Sequence, residues 1–120
     1  MKVYSGNYYM CDTGIPTHET DMHGHALYTG DIVQLWHGNW IGEDFEEWLP
    51  SSGLTVIVAN QYESYTNGTF TVLTENPIPF TMGISSIGVQ GGEWKVSLVK
   101  SHKDIVVGER IISFGFNFKE

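Results

Sequence analysis

Three histidines, His18, His23 and His25, fall within eight residues, with Glu19 and Asp21 among them. In an extended strand His23 and His25 project to the same face, as paired imidazole ligands of a divalent metal do. Such a cluster would serve a metal-dependent enzyme. A carboxylate three or four residues beyond His25 would help complete it, but Tyr28 and Thr29 stand there. The competing reading is a solvated hairpin loop. Cys11 is the one thiol in the chain, and a single cysteine more often fills a small core site than acts as a nucleophile. The sequence holds no Gly-x-Ser-x-Gly elbow, phosphate loop or dinucleotide fingerprint. Carboxylates brought together by folding leave no local motif, so this absence does not exclude an enzyme. The expectation is nevertheless a non-catalytic protein with no cofactor.

Recognition has a denser signal. Trp36, Trp40, Glu43, Asp44, Glu46, Glu47 and Trp48 lie within thirteen residues. Tryptophan is enriched at interfaces because its large rigid face binds with little entropy loss. Neighbouring acids would draw in a basic partner and speed association more than they tighten it. The pattern points to a protein partner with a basic surface. In the competing reading, Trp36 and Trp48 are core residues and the acids form a solvated face. A second surface is the segment carrying Tyr62, Tyr65 and Phe70. Tyr62 and Tyr65 have opposite parity along a strand, so one of them is exposed and able to stack on a base. The cations needed to grip a phosphate are Lys95, Lys100, His102, Lys103 and Arg110, all in the last quarter of the chain. Together these would make a sponge for a small nucleotide signal.

The elements that must position these residues are short and closely punctuated by Gly and Asn, the mark of strands joined by tight turns. Gln61–Thr66 and Thr69–Thr74 flank Asn67-Gly68, a pair suited to the positive φ angles of a type I′ hairpin turn. A second hairpin spans Ile84–Val99 around Gln90-Gly91-Gly92, with Trp94, Val96 and Leu98 on one face. Further strands are expected at Val3–Cys11, Asp31–His37, Leu54–Asn60, Ile105–Val107 and Arg110–Phe118. In the last, Ile112, Phe114, Phe116 and Phe118 alternate with smaller or polar residues and close the core. Pro77 and Pro79 mark a stiff bend. One helix is expected, Gly42–Leu49, ended by Pro50. There Phe45, Trp48 and Leu49 form an apolar face, and Glu43 and Asp44 suit the positive N-terminal end.

The chain of 120 residues is the size of one domain, and its 41% hydrophobic and 13% aromatic content supports a packed core. A formal net charge of −8 repels phosphate backbones at long range and argues against direct nucleic-acid binding. No apolar run approaches membrane-spanning length, and the N-terminus lacks a secretory leader's apolar core, so a cytoplasmic protein is expected. Unpaired edge strands leave a homo-oligomer open.

The run Thr13-Gly14-Ile15, then Asp21, His23-Gly24 and Tyr28-Thr29-Gly30-Asp31-Ile32-Val33, resembles that of the YopX-like family of phage and prophage proteins. The resemblance covers residues 13–33, within which Pro16–Thr20 is additional. It implies a phage-type β-barrel core and a small accessory protein of viral origin, acting in the host cytoplasm by occupying a host protein, such as a factor of host defence. It also places His23-Gly24 in a turn, and it carries no catalytic residues. Physically, Gly30 can take a tight backbone, Asp31 can cap that turn, and Ile32-Val33 can start a buried strand. The same device opens strands in many SH3-like barrels. The expected architecture is therefore one all-β, mainly antiparallel domain over residues 1–120, a small barrel with one short helix.

Overall fold

The structure, a computed structural model, describes residues 1–41, 44–59, 70–72, 78–79, 94–111 and 115–120. The described residues are mostly β-strand. In order, the strands are β1 (Lys2–Ser5), β2 (Tyr8–Asp12), β3 (Pro16–Thr20), β4 (Ala26–Tyr28), β5 (Ile32–Ile41) and β6 (Asp44–Ala59). They are followed by β7 (Phe70–Val72), β8 (Ile78–Pro79), β9 (Trp94–Lys100), β10 (Arg110–Ile111) and β11 (Phe116–Lys119). Every strand pair among the described residues is antiparallel. The sheets run β10-β11-β1-β2, β3-β4 and β8-β7-β6-β5-β9. The all-β antiparallel class is thus as expected, while among the described residues the strands form three sheets and no closed barrel.

The apolar side chains explain the arrangement. Val33, Leu35 and Val96 share the inner face of the five-stranded sheet, and all are buried. Val56, Ile57 and Val58 are buried in succession, because both faces of that part of β6 are covered. Val3, Phe116 and Phe118 fill the same core from the four-stranded sheet. Phe116 and Phe118 alternate with the half-buried Asn117, as their period of two predicts. Trp94 and Leu98 pack against the core from β9, on the face of Val96.

Four expectations are corrected. The helix at Gly42–Leu49 is replaced, over Asp44–Leu49, by the first part of β6, which pairs with β5 from Ile41↔Asp44 to His37↔Leu49. A two-turn helix is unstable alone, whereas this stretch finds a full ladder on β5, so tertiary pairing overrides local preference. Pro50 lies within this ladder, opposite Trp36. Val3–Cys11 is not one strand but the β1–β2 hairpin, turning at Gly6 with φ +61°. Ile105–Val107 is not a strand. A 3₁₀ turn at His102–Asp104, capped by Ser101, leads into it, and only Ile105 of the three is buried. Arg110–Phe118 is interrupted, with β10 and β11 pairing across a turn that includes Gly115. Pro79 lies in β8. The Asn67-Gly68 and Gln90-Gly91-Gly92 turns, Pro77, Ile112 and Phe114 lie outside the described residues.

The three sheets are tied together around the run that began at Thr13. Gly30 has φ +87°, and a Cβ there would stand 2.5 Å from Thr13 Cγ2, so only glycine fits. The Gly14 N–H donates to the Thr29 carbonyl (2.8 Å), and the Gly30 N–H donates to the Ile57 carbonyl (2.8 Å). The Thr29 hydroxyl donates to the Asp12 carbonyl (2.7 Å) and accepts from the Ile15 N–H (2.9 Å). β2, β4 and β6 are thereby joined at one point.

Candidate recognition face and the aspartate–histidine pairs

The register of β5 with its two neighbours decides what the tryptophans do. Trp36 lies opposite Pro50 on β6 and Lys95 on β9, and Gly38 lies opposite Trp48. Because side chains alternate along strands, Trp36, Trp48, Lys95 and Ser97 share the outer face, back to back with the core residues Val33, Leu35 and Val96. The Trp36 indole Nε1 donates to the Ser97 hydroxyl at 2.8 Å. Lys95 Nζ lies 4.5 Å from the centre of the Trp48 ring, a cation–π contact worth about 0.5–1 kcal/mol at an exposed site. Both indoles are half-buried, so each is fixed in place and still presents ring surface. Behind them, on the inner face, His37 and Trp94 stack at 4.7 Å.

The expected acidic partners of these rings are distributed differently. Glu47 is exposed and adjacent to Trp48 on the same strand, so alternation turns it to the opposite face. Trp40, Asp44 and Glu46 fall on β5 and β6, while Glu43 lies outside the described residues. The aromatic face is therefore set beside a lysine, and Asp44, Glu46 and Glu47 lie along β6 without forming a single helix face. Tyr62 and Tyr65 lie outside the described residues.

The histidine cluster is organised by Asp21, whose carboxylate is buried in the β3–β4 connection. Oδ1 accepts the backbone N–H groups of His23 (3.0 Å) and His25 (2.7 Å). Oδ2 accepts the Leu98 N–H (2.9 Å) and faces His25 Nδ1 at 3.0 Å. Burial alone would raise the Asp21 pKa. The hydrogen bonds from Leu98, the His25 ring, and the His25 and His23 backbones outweigh it and hold the group down to about 2. An ionised carboxylate only accepts, so His25 Nδ1 carries the proton facing it. With the Met22 N–H donating to the Val96 carbonyl (2.9 Å), this connection covers the outer edge of β9. The His23 and His25 rings are 6.3 Å apart at 67°. His18 stands on β3 with an unusual φ of +62°. Among the described residues, no three His, Cys, Asp or Glu side chains converge to hold a metal ion.

A second pair was not anticipated from sequence. Asp31 is buried, and its Oδ1 meets both the His102 N–H (2.7 Å) and His102 Nδ1 (2.8 Å). Its Oδ2 accepts the Tyr28 N–H (2.9 Å), closing the turn at Gly30 as the run predicted. The His102 ring packs on Tyr28 at 5.0 Å. The only earlier signal was Asp31 itself, since His102 lies 71 positions away. Such a pair is the base-and-orienter half of a nucleophilic triad, yet here it fastens the 3₁₀ turn to the start of β5. Cys11 does not supply the missing nucleophile. Its thiol is buried, and burial pushes its pKa up to about 11 against the opposing Ala59 backbone hydrogen bond, with the Asp12 charge adding to the rise. The thiolate is negligible at neutral pH.

Compared with protein-family models, curated proteins and solved structures, the chain finds no match in any of the three.

Proposed function

We propose that this chain is a non-catalytic binding protein that occupies a partner protein through the outer face of β5, β6 and β9. The observation that carries this reading is the pair of half-exposed indoles, Trp36 and Trp48, each immobilised by a neighbour on the sheet. Rings fixed before binding lose little entropy on contact, which is what interface anchors need. The engagement of both Asp–His pairs in holding backbone, and the suppressed thiolate of Cys11, support a role without chemistry. The YopX-like run supports a phage or prophage accessory protein whose partner is a host protein. The acids of β6 would steer a basic partner from either face, because their field reaches about 8 Å at physiological salt.

The test is retention of one host protein from a bacterial lysate on the immobilised chain. The partner is expected to be kept by the wild type and lost at least tenfold by Trp36→Ala/Trp48→Ala. Neutralising Glu43, Asp44, Glu46 and Glu47 is expected to weaken capture and flatten its salt dependence. Equal retention by the tryptophan variant would remove this face from the mechanism.

A further inference from the structure

A pocket of about 420 Å³, with no tryptophan in its lining, opens where β5 begins, β6 passes, β9 ends and β10 starts. Its apolar lining is Ile32, Leu54, Val99 and Ile111, and its charged lining is Lys100, Glu109 and Arg110. Leu54 is 39% exposed and Val99 51%, so two branched apolar side chains stand open to solvent beside it. Lys100 Nζ pairs with Glu109 Oε1 at 2.5 Å. The other oxygen, Glu109 Oε2, is buried and has no hydrogen-bond partner. A buried carboxylate oxygen is a strong acceptor and is seldom left unmet in a native protein. The two cations and one carboxylate leave the pocket one unit positive in a chain whose net charge is −8.

We propose that this pocket binds a small amphipathic molecule carrying both an N–H donor and an anionic group. The apolar body would lie on Ile32, Leu54, Val99 and Ile111. The donor would satisfy Glu109 Oε2, and the anion would meet Arg110, which is exposed at the rim. The volume falls within the roughly 300–1,000 Å³ of ordinary small-molecule sites. Two common sources share this chemistry. A guanine nucleotide offers its N–H edge and phosphate, and a hydrophobic amino acid offers its ammonium and carboxylate. This site is independent of the protein-binding face, so either can fail alone.

The experiment is titration calorimetry of the full chain with guanosine monophosphate, leucine and tryptophan as separate probes. One probe is expected to bind saturably, at least tenfold more weakly to Glu109→Gln and to Arg110→Ala, and unchanged to Trp48→Ala. Which probe binds identifies the source. Arg110 is exposed, so its variant keeps the test meaningful even where Glu109→Gln impairs folding. Three results would overturn the proposal. One is no binding of any probe at millimolar concentration. Another is binding that ignores Arg110→Ala. The third is a stable dimer that excludes the probes and is broken by Val99→Asp, which would assign the pocket to a second copy.

Discussion

Asp21 shows how much one carboxylate can organise. It collects the His23, His25 and Leu98 N–H groups and the His25 ring, and so fastens the β3–β4 connection to β9. Its pKa is held at about 2, below the ordinary 3.8. A depressed carboxylate stabilises the fold above its unfolded value, and that contribution is lost as pH falls through the folded value. The shift corresponds to about 2 kcal/mol at neutral pH. Asp21→Asn, which sets an amide against these donors, is expected to lose roughly 1–3 kcal/mol in urea unfolding at pH 7. The gap between wild type and variant should narrow as pH drops from about 4 to about 2. A gap that stays constant over that window would mean the carboxylate's charge is not what stabilises the turn. From sequence, Asp21 read as a companion of the histidine cluster. Its further partner, the Leu98 backbone, is 77 positions away.

At the level of elements, the decisive feature is the β5–β6 ladder. Phe45, Trp48 and Leu49 have helical spacing, yet Asp44–Leu49 runs as strand because β5 offers it an edge. Periodicity cannot see that edge, since short apolar patterns fit either structure. The strand assignment has a covalent test. His37 and Leu49 are register partners, so cysteines there stand within disulfide reach. His37→Cys/Leu49→Cys is expected to form the bridge on mild oxidation, seen as the mass loss of two hydrogens. A helix over these residues would leave the double variant reduced. The ladder also changes the recognition surface, because strand alternation sets Glu47 and Trp48 on opposite faces of the sheet, where helical spacing would have put Trp48 on one apolar face with Phe45 and Leu49.

Over the whole molecule, the first and last strands hold one another. β1 lies between β2 and β11, with Val3 opposite Phe118 in the core. The like charges of Lys2 and Lys119 face each other across this pair. Each is relieved by an aromatic ring, Lys2 over Tyr9 at 5.4 Å and Lys119 over Tyr4 at 5.0 Å. Removing Phe116–Glu120 would uncover Val3 and empty the sites of Phe116 and Phe118. Losing a buried Phe side chain alone costs about 3–5 kcal/mol, comparable to the stability of a small domain. The shortened chain is expected to lose its cooperative thermal transition by circular dichroism. Among the described residues, no helix is long and apolar enough to cross a membrane.

Residue type and spacing by themselves determined the β class, the shared face of Phe116 and Phe118 and of Trp94 and Val96, the tight backbone at Gly30 and the capping role of Asp31. All of these depend on neighbours a few positions away, where turn chemistry and a period of two operate. Only the tertiary structure decided that Asp44–Leu49 is strand, that Asp21 reaches Leu98, that Asp31 holds His102, and that Lys95 covers Trp48. Each depends on which strand lies beside which. That is fixed by burying one shared apolar core, a global balance that local propensity does not encode.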